Sequence, residues 1–283
     1  MALLQMPNRR LAIGDGQPLL VIAGLNVLED EALALDVGRT LKSVTERLGL
    51  PFVFKASFDK ANRSSIHSYR GPGLEAGMAM LAKVKAELDV PICTDIHALE
   101  HVEPVAEVAE LVQIPAFLCR QTDLVVAAAR AVQRTGGWLH VKKGQFLAPW
   151  DCQMILDKIG EAARRDLTIL CERGVSFGYN NLIVDMLAIP ALQALGAPVT
   201  IDATHAVQLP GTDRRGNVTA TGGRREGVPV IAKAAVASGA DGVFLEFHPD
   251  PDRALCDGPS CLPLADAEAL LATLKALHVA ARA

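Results

Sequence analysis

Eight short, near-continuously apolar runs recur along this 283-residue chain, and most of them break off on a charged or polar residue. Phe52-Val53-Phe54 runs into Lys55, Val90-Pro91-Ile92-Cys93 into Asp95, Leu139-His140-Val141 into Lys142 and Lys143, Ile169-Leu170-Cys171 into Arg173, Val199-Thr200-Ile201 into Asp202 and His205, and Val243-Phe244-Leu245 into Glu246. A strand that lacks alternation is covered on both faces, as in a parallel sheet with helices outside it. Helical patterns over 31–48, 74–88, 122–133, 152–165, 180–195 and 225–238 fall between the runs. Strand alternating with helix implies right-handed parallel crossovers, and eight units fit closure into a (β/α)8 TIM barrel, an α/β fold whose chemistry sits at the carboxyl ends of its strands. An open doubly wound sheet has the same alternation, but no Gly-x-Gly-x-x-Gly opens a helix after the first run.

Length and the absence of a Pro- or Ser-rich linker predict one barrel domain over 1–283. Turn signals at Pro7-Asn8 and Gly14-Asp15-Gly16 predict a short β-hairpin within residues 1–18, capping the barrel bottom. Arg9 and Arg10 interrupt any leader-like apolar stretch, and no segment has the roughly 18 uncharged apolar residues of a membrane span, so a cytoplasmic protein is expected. Six scattered cysteines without Cys-x-x-Cys spacing read as small reduced hydrophobes rather than as a disulfide framework or zinc site. A net charge of −4 with 4% aromatic residues argues against a nucleic-acid surface.

Cations are instead placed locally. Lys55, Lys60, Arg63, Arg70, Arg120, Lys142, Lys143 and Arg173 fall at or just after strand ends, so barrel closure would gather many of them round one mouth. Such a mouth in an acidic protein calls for carboxylate or phosphate ligands. The plainer alternative makes Lys60 and Arg70 solvated loop residues and pairs Arg120 with Asp123. The loop over 55–73 adds the planar fork of Arg63 and the hydroxyls of Ser64 and Ser65, groups that suit phosphate.

Lys60-Ala61-Asn62-Arg63-Ser64-Ser65 resembles the signature of the 3-deoxy-D-manno-octulosonate 8-phosphate synthase family, and the resemblance extends along almost the whole chain. It takes in Gly24-Leu25-Asn26, Thr94-Asp95-Ile96-His97, Gln113-Ile114-Pro115-Ala116-Phe117, Arg120-Gln121-Thr122-Asp123, Lys142-Lys143-Gly144-Gln145, Asp202-Ala203-Thr204-His205 and His248-Pro249-Asp250-Pro251. The family condenses phosphoenolpyruvate with arabinose 5-phosphate and water, releasing inorganic phosphate by carbon–oxygen cleavage, for lipopolysaccharide biosynthesis. The resemblance implies that Lys55, Lys60, Gln113, Pro115, Ala116, Lys142, Gln145 and Arg173 hold phosphoenolpyruvate. Asn62, Arg63 and Ser64 would hold the sugar phosphate, with Phe117 and Arg120 lent across a subunit boundary in a homotetramer.

The reaction leaves positive character at C2 and an alkoxide at the former aldehyde, so it needs a proton acceptor and a donor. Asn26, Asp95, Lys142, His205, Glu246 and Asp257 are the candidate catalytic set. His205, Glu246 and Asp257 resemble three of the four ligands of metal-dependent members, whose fourth is a cysteine at the end of the first strand. Asn26 stands there instead and is a poor transition-metal ligand, and Cys256-Asp257-Gly258-Pro259-Ser260 looks like the metal-independent subgroup, so neither metal nor cofactor is expected. The 208–221 loop is longer than that subgroup's pattern leads one to expect. Two alternatives share these features: a 3-deoxy-D-arabino-heptulosonate 7-phosphate synthase using erythrose 4-phosphate, and a catalytically silent sugar-phosphate-binding barrel.

Overall fold

The computed structural model describes residues 2–6, 11–209 and 222–283. Its centre is a ring of parallel strands: β1 (Leu20–Val27), β2 (Phe52–Ser57), β3 (Ile92–Asp95), β4 (Leu111–Ile114), β5 (Trp138–Lys142), β6 (Thr168–Glu172), β7 (Val199–Asp202) and β8 (Gly242–His248). Each bonds to the next in sequence, and β8 returns to β1 with Gly242 opposite Leu20 and Val243 opposite Val21. Closure settles the choice between barrel and open sheet.

Helices α1 (Glu31–Leu48), α2 (Leu74–Leu88), α3 (Leu99–Val108), α4 (Thr122–Thr135), α5 (Cys152–Ala162), α6 (Ala188–Gln193), α7 (Val228–Ala237) and α8 (Ala267–Ala280) connect and cover the strands. The α1 limits are chemically marked. The Asp30 side chain accepts the Leu33 N–H at its start, and Gly49 takes φ 64° at its end. The helix expected over 180–195 is cut to α6. Asn180 turns left-handed at φ 51°, and Leu182–Ile183 pairs antiparallel with Val175–Ser176, so this backbone bonds as a small hairpin instead. The helix expected over 152–165 stops at Ala162, where Ala163 becomes extended.

Two apolar layers follow from the closed geometry. The outer one packs the helices on the ring; the inner one fills the barrel with Leu20, Ile22, Val53, Leu111, Trp138, Ile169 and Phe244. The predicted hairpin is present as Leu3–Met6 against Leu11–Gly14 and adds Leu4, Met6, Leu11 and Ile13 to the inner layer, plugging the bottom. Its expected turn at Pro7-Asn8 lies outside the described residues. All six cysteines are free and buried, and among the described residues no helix is long and apolar enough to cross a membrane. The opposite end of the barrel, with its bottom plugged, is left for polar side chains.

Candidate active site

A cavity of about 380 Å³ opens at the carboxyl ends of the strands, within the size range of small-ligand sites. Its wall is built from four places: Lys60 to Ser64 after β2, Asp95 and Gln113 at the ends of β3 and β4, Lys142, Gln145 and Arg173 after β5 and β6, and His205 with Asp257 after β7 and β8. The long loop after β2 is tied down locally. Lys60 N–H donates to the Arg70 carbonyl (2.7 Å), the Arg70 guanidinium pairs with Asp59, and the Tyr69 hydroxyl donates to the Leu28 carbonyl (2.9 Å). Lys60 is thereby buried while Arg70 stays exposed, so the solvated-residue reading holds for Arg70 and fails for Lys60.

Beneath the cavity lies a fully buried charge layer. Gly24 lets β1 approach β2 closely, since a Cβ there would meet the Lys55 carbonyl oxygen at 2.1 Å, and the register shifts between Gly24 and Val27. At this irregularity Asn26 turns its amide inward, donating to Glu246 Oε2 and, at 3.3 Å, to Asp257 Oδ2. Asp257 sits at φ 50°, an uncommon left-handed conformation for a non-glycine residue. Lys55 Nζ reaches Glu246 Oε1 (2.6 Å) and the carbonyls of Asn26 (3.0 Å) and Leu25 (3.4 Å). Burial pushes the Glu246 carboxyl up, but His205 and Lys55, with Lys60 and Lys142, outweigh it and hold it at about 2.

On the other side, Lys142 Nζ lies 2.6 Å from Asp202 Oδ2 and 3.5 Å from His205 Nδ1, above the Phe244 ring at 3.8 Å. His205 Nδ1 lies 2.8 Å from Asp202 Oδ2, which leaves Nε2 facing Glu246 (3.5 Å) and Asp257 (3.9 Å). Asp95 accepts the Ser57 hydroxyl (2.8 Å) and the Gln113 amide (3.2 Å), with His97 Nε2 at 3.7 Å. Burial opposes ionisation of Asp95 and Asp202. The former is nonetheless held well below the usual carboxylate range by Lys60 and Lys55, the latter by His205 and Lys142.

The cations divide by partner. Lys55 pairs with Glu246, Lys142 with Asp202, Lys143 with Glu172 and Arg63 with Asp257. Among the described residues, Lys60 and Arg173 meet no carboxylate at salt-bridge distance. Arg173 spends its contacts on neutral acceptors, Gln208 Oε1 (3.0 Å) and the His205 carbonyl (3.3 Å).

Most of the sequence-predicted residues meet here: Lys60, Asn62, Arg63, Ser64, Asp95, Gln113, Pro115, Ala116, Phe117, Lys142, Gln145, Arg173, His205 and Asp257 line the cavity. Asn26, Lys55 and Glu246 lie one layer below it, and Lys55 reaches a ligand only by exchanging one of its three present contacts. Arg120 is exposed beside the cavity rather than on its wall, and it makes no ion pair with Asp123. Sequence reasoning assigned no role to Asp202, Gln208 or His97. Asp202 stood at a strand end, which is a usable signal; Gln208 and His97 carried none apart from their neighbouring motifs. The extended loop's residues 210–221 lie outside the described residues.

The model of the DAHP synthetase I family matches residues 4–283. The chain is similar to proteins named 2-dehydro-3-deoxyphosphooctonate aldolase. That of Desulfosudis oleivorans is 53% identical over 272 residues, covering 96% of this chain and 94% of that one. That of Albidiferax ferrireducens is 54% identical over 270 residues (94% and 92%), and that of Desulfotalea psychrophila 49% over 279 (99% and 96%).

Proposed function

The chain belongs to the DAHP synthetase I family, and from that premise we propose that it condenses phosphoenolpyruvate with D-arabinose 5-phosphate and water, giving 3-deoxy-D-manno-octulosonate 8-phosphate and inorganic phosphate. The observation that carries this reading is the pair of buried cations on the cavity wall, Lys60 and Arg173, that no described carboxylate contacts at salt-bridge distance. A buried cation with no carboxylate in contact keeps its donors available for an anionic ligand. Relatives named for the octulosonate product favour the five-carbon aldose over erythrose 4-phosphate, as does Ala61-Asn62-Arg63-Ser64 in the second loop.

Phosphoenolpyruvate is held by Lys60, Arg173, Lys142 and Gln145, with Gln113 and the backbone of Pro115 and Ala116 on its flank. Asn62, Arg63 and Ser64 hold the phosphate of the pentose, which places its aldehyde toward Lys142. The C3 carbon of the enol attacks the aldehyde carbon, and the oxygen of the former carbonyl takes a proton from Lys142, whose contact with Asp202 supports a charged, donating ammonium. Water adds at C2 with its proton passing to Asp95 or His205 on the cavity wall. The C2–O bond to phosphate then breaks as the new C2 hydroxyl gives its proton to the departing phosphate, leaving the ketone and inorganic phosphate. Asp95 and Glu246, both held ionised, also stabilise the positive character at C2.

A metal is not required in this scheme. Asn26 donates its amide hydrogens to the two carboxylates that would otherwise share a cation with His205 Nε2, an arrangement suited to a metal-free site. The assembly proposed is a cytoplasmic homotetramer, in which exposed Arg120 reaches a neighbouring mouth and Phe117, at the edge of its own cavity, sits on the shared boundary; exposed Phe146, Trp150 and Phe177 supply apolar surface that a lone subunit would leave wet. The test is phosphate release from phosphoenolpyruvate by protein dialysed against EDTA and assayed with the chelator present. Turnover with arabinose 5-phosphate is expected. Activity only with erythrose 4-phosphate would overturn the substrate, and activity that returns only with zinc or manganese would overturn the metal-free scheme.

A further inference from the structure

His140 takes no part in the steps above, yet it is bonded to one of their central groups. It sits within β5, fully buried inside the barrel, its ring stacked at 15° to Phe244. Its Nδ1 lies 3.0 Å from Gln113 Oε1 and its Nε2 2.9 Å from Thr200 Oγ1. Gln113 in turn donates from Nε2 to Asp95 Oδ1 at 3.2 Å.

The proton positions follow from the Asp95 end. An ionised carboxylate only accepts, so Gln113 must present its NH2 group to Asp95 and its oxygen to His140. An amide oxygen also only accepts, so Nδ1 of His140 must carry the hydrogen. The other neutral tautomer would set two lone pairs against each other at 3.0 Å. Nε2 is then bare and accepts from the Thr200 hydroxyl, whose other acceptor, the Leu170 carbonyl, is longer at 3.4 Å. Burial, followed by the charge of Lys142, lowers the His140 pKa to about 3, so the ring stays neutral at any working pH. Thr200, His140, Gln113 and Asp95 thus form one directional chain from the barrel interior to the cavity wall.

We propose that His140 is a positioning residue, which locks the Gln113 amide as a donor to Asp95 and so fixes the carboxylate that faces the reacting atoms. This rests on the role of Asp95 proposed above. Without the Nδ1–H, the Gln113 amide is free to flip, and a flipped amide turns its oxygen against Asp95.

The variants His140→Leu and His140→Asn separate positioning from packing. Leucine fills the space with no donor, whereas the asparagine amide nitrogen occupies about the place of Nδ1 and can still donate to Gln113. For His140→Leu, kcat is expected to fall about tenfold, the order expected when a buried hydrogen bond is lost and its acceptor stranded, with KM for both substrates within about threefold. His140→Asn is expected to keep kcat within about threefold of the parent. Equal losses in both variants, or a loss confined to KM, would overturn the proposal. Imidazole ¹⁵N shifts of the intact parent enzyme, labelled at histidine and assigned by the signal missing from His140→Asn, give a second readout that needs no turnover and no folded leucine variant. The Nδ1–H tautomer is expected; the Nε2–H tautomer or a cationic ring would refute the lock. A parent enzyme inactive with arabinose 5-phosphate would overturn the reaction reading, while the ring shifts would still decide the lock.

Discussion

The buried pair of Lys55 and Glu246 allows the balance between stability and function to be measured. Their side chains are 1% and 0% exposed and their charged atoms 2.6 Å apart. Lys55→Met keeps the length of the side chain and its place near the Phe244 ring, 5.3 Å from Nζ, but removes the ammonium. Stranding one member of a buried pair costs about 3–5 kcal/mol. The lower end is expected because His205 Nε2 remains 3.5 Å from Glu246 and Asn26 still donates to it. Glu246→Gln alone should cost less, about 1–2 kcal/mol, because burial already pushes the Lys55 pKa down and an unpaired Lys55 escapes by losing its proton. In the double variant no charge is stranded, so the effects should fall short of additive by about 2 kcal/mol. Urea unfolding of the parent, both single variants and the double variant at pH 7 closes the cycle. Additivity within about 0.5 kcal/mol would refute the coupling and, with it, the view that Lys55 serves first as the counter-charge of Glu246. Turnover should be low in Glu246→Gln and in the double variant alike, since restoring stability does not restore the carboxylate beneath C2.

Three further outcomes follow from the same geometry. Arg63→Ala should raise KM for arabinose 5-phosphate by roughly tenfold or more and change that for phosphoenolpyruvate little, because it removes a charge-assisted contact to one phosphate only; equal rises in steady-state kinetics would contradict the division of the cavity. Asn26→Cys removes the amide that donates to Glu246 and Asp257 and puts a thiolate ligand beside them and His205, so activity should become responsive to zinc or manganese, and an unchanged response in a metal titration would place the control of metal use elsewhere. Glu246 and Asp95 have folded pKa values below their unfolded ones, so their stabilisation is complete above about pH 4.5 and is lost as pH falls, toward about 2 for Glu246. The urea midpoint should therefore drop between those limits, and it should drop less in Glu246→Gln; an identical acid slope in that variant would count against the depressed Glu246.

What was legible in the sequence was whatever local chemistry decides. The limits of α1 and α2 coincide with their predicted spans because punctuation lies at both ends, Asp30 and Gly49 for the first, Gly73 and Asp89 for the second. Helix α3 carries Pro104 in its interior, which blurs its helical pattern, and α6 is shortened by a two-residue strand pairing that no local signal announces. The division of the cations was likewise hidden. Lys60 and Arg70 look alike in one polar loop, and only the backbone bond between them, with Asp59 taking up Arg70, turns one inward and the other out. His140 reads as one more residue of an apolar run until barrel closure sets it opposite Thr200 and Gln113.

That division explains how an acidic chain presents an anion site. A cation touching a carboxylate projects only a dipole into the cavity, whose field falls off quickly. An unpaired charge near a protein surface is felt at 4 Å with about 4 kcal/mol. Lys55 and Lys143 are each paired and buried, so their removal acts first on the carboxylates they neutralise, whereas Arg63 meets Asp257 through one nitrogen and keeps the rest of its fork for a phosphate. Lys60 and Arg173 share the cavity wall with no carboxylate in contact, so more of their field is left for a ligand than that of the paired cations. One of the carboxylates that restrain the other cations, Glu246, is also a group needed when positive character develops at C2. The same buried layer therefore limits the mouth's attraction for anions in general and supplies the negative charge that the reaction itself requires.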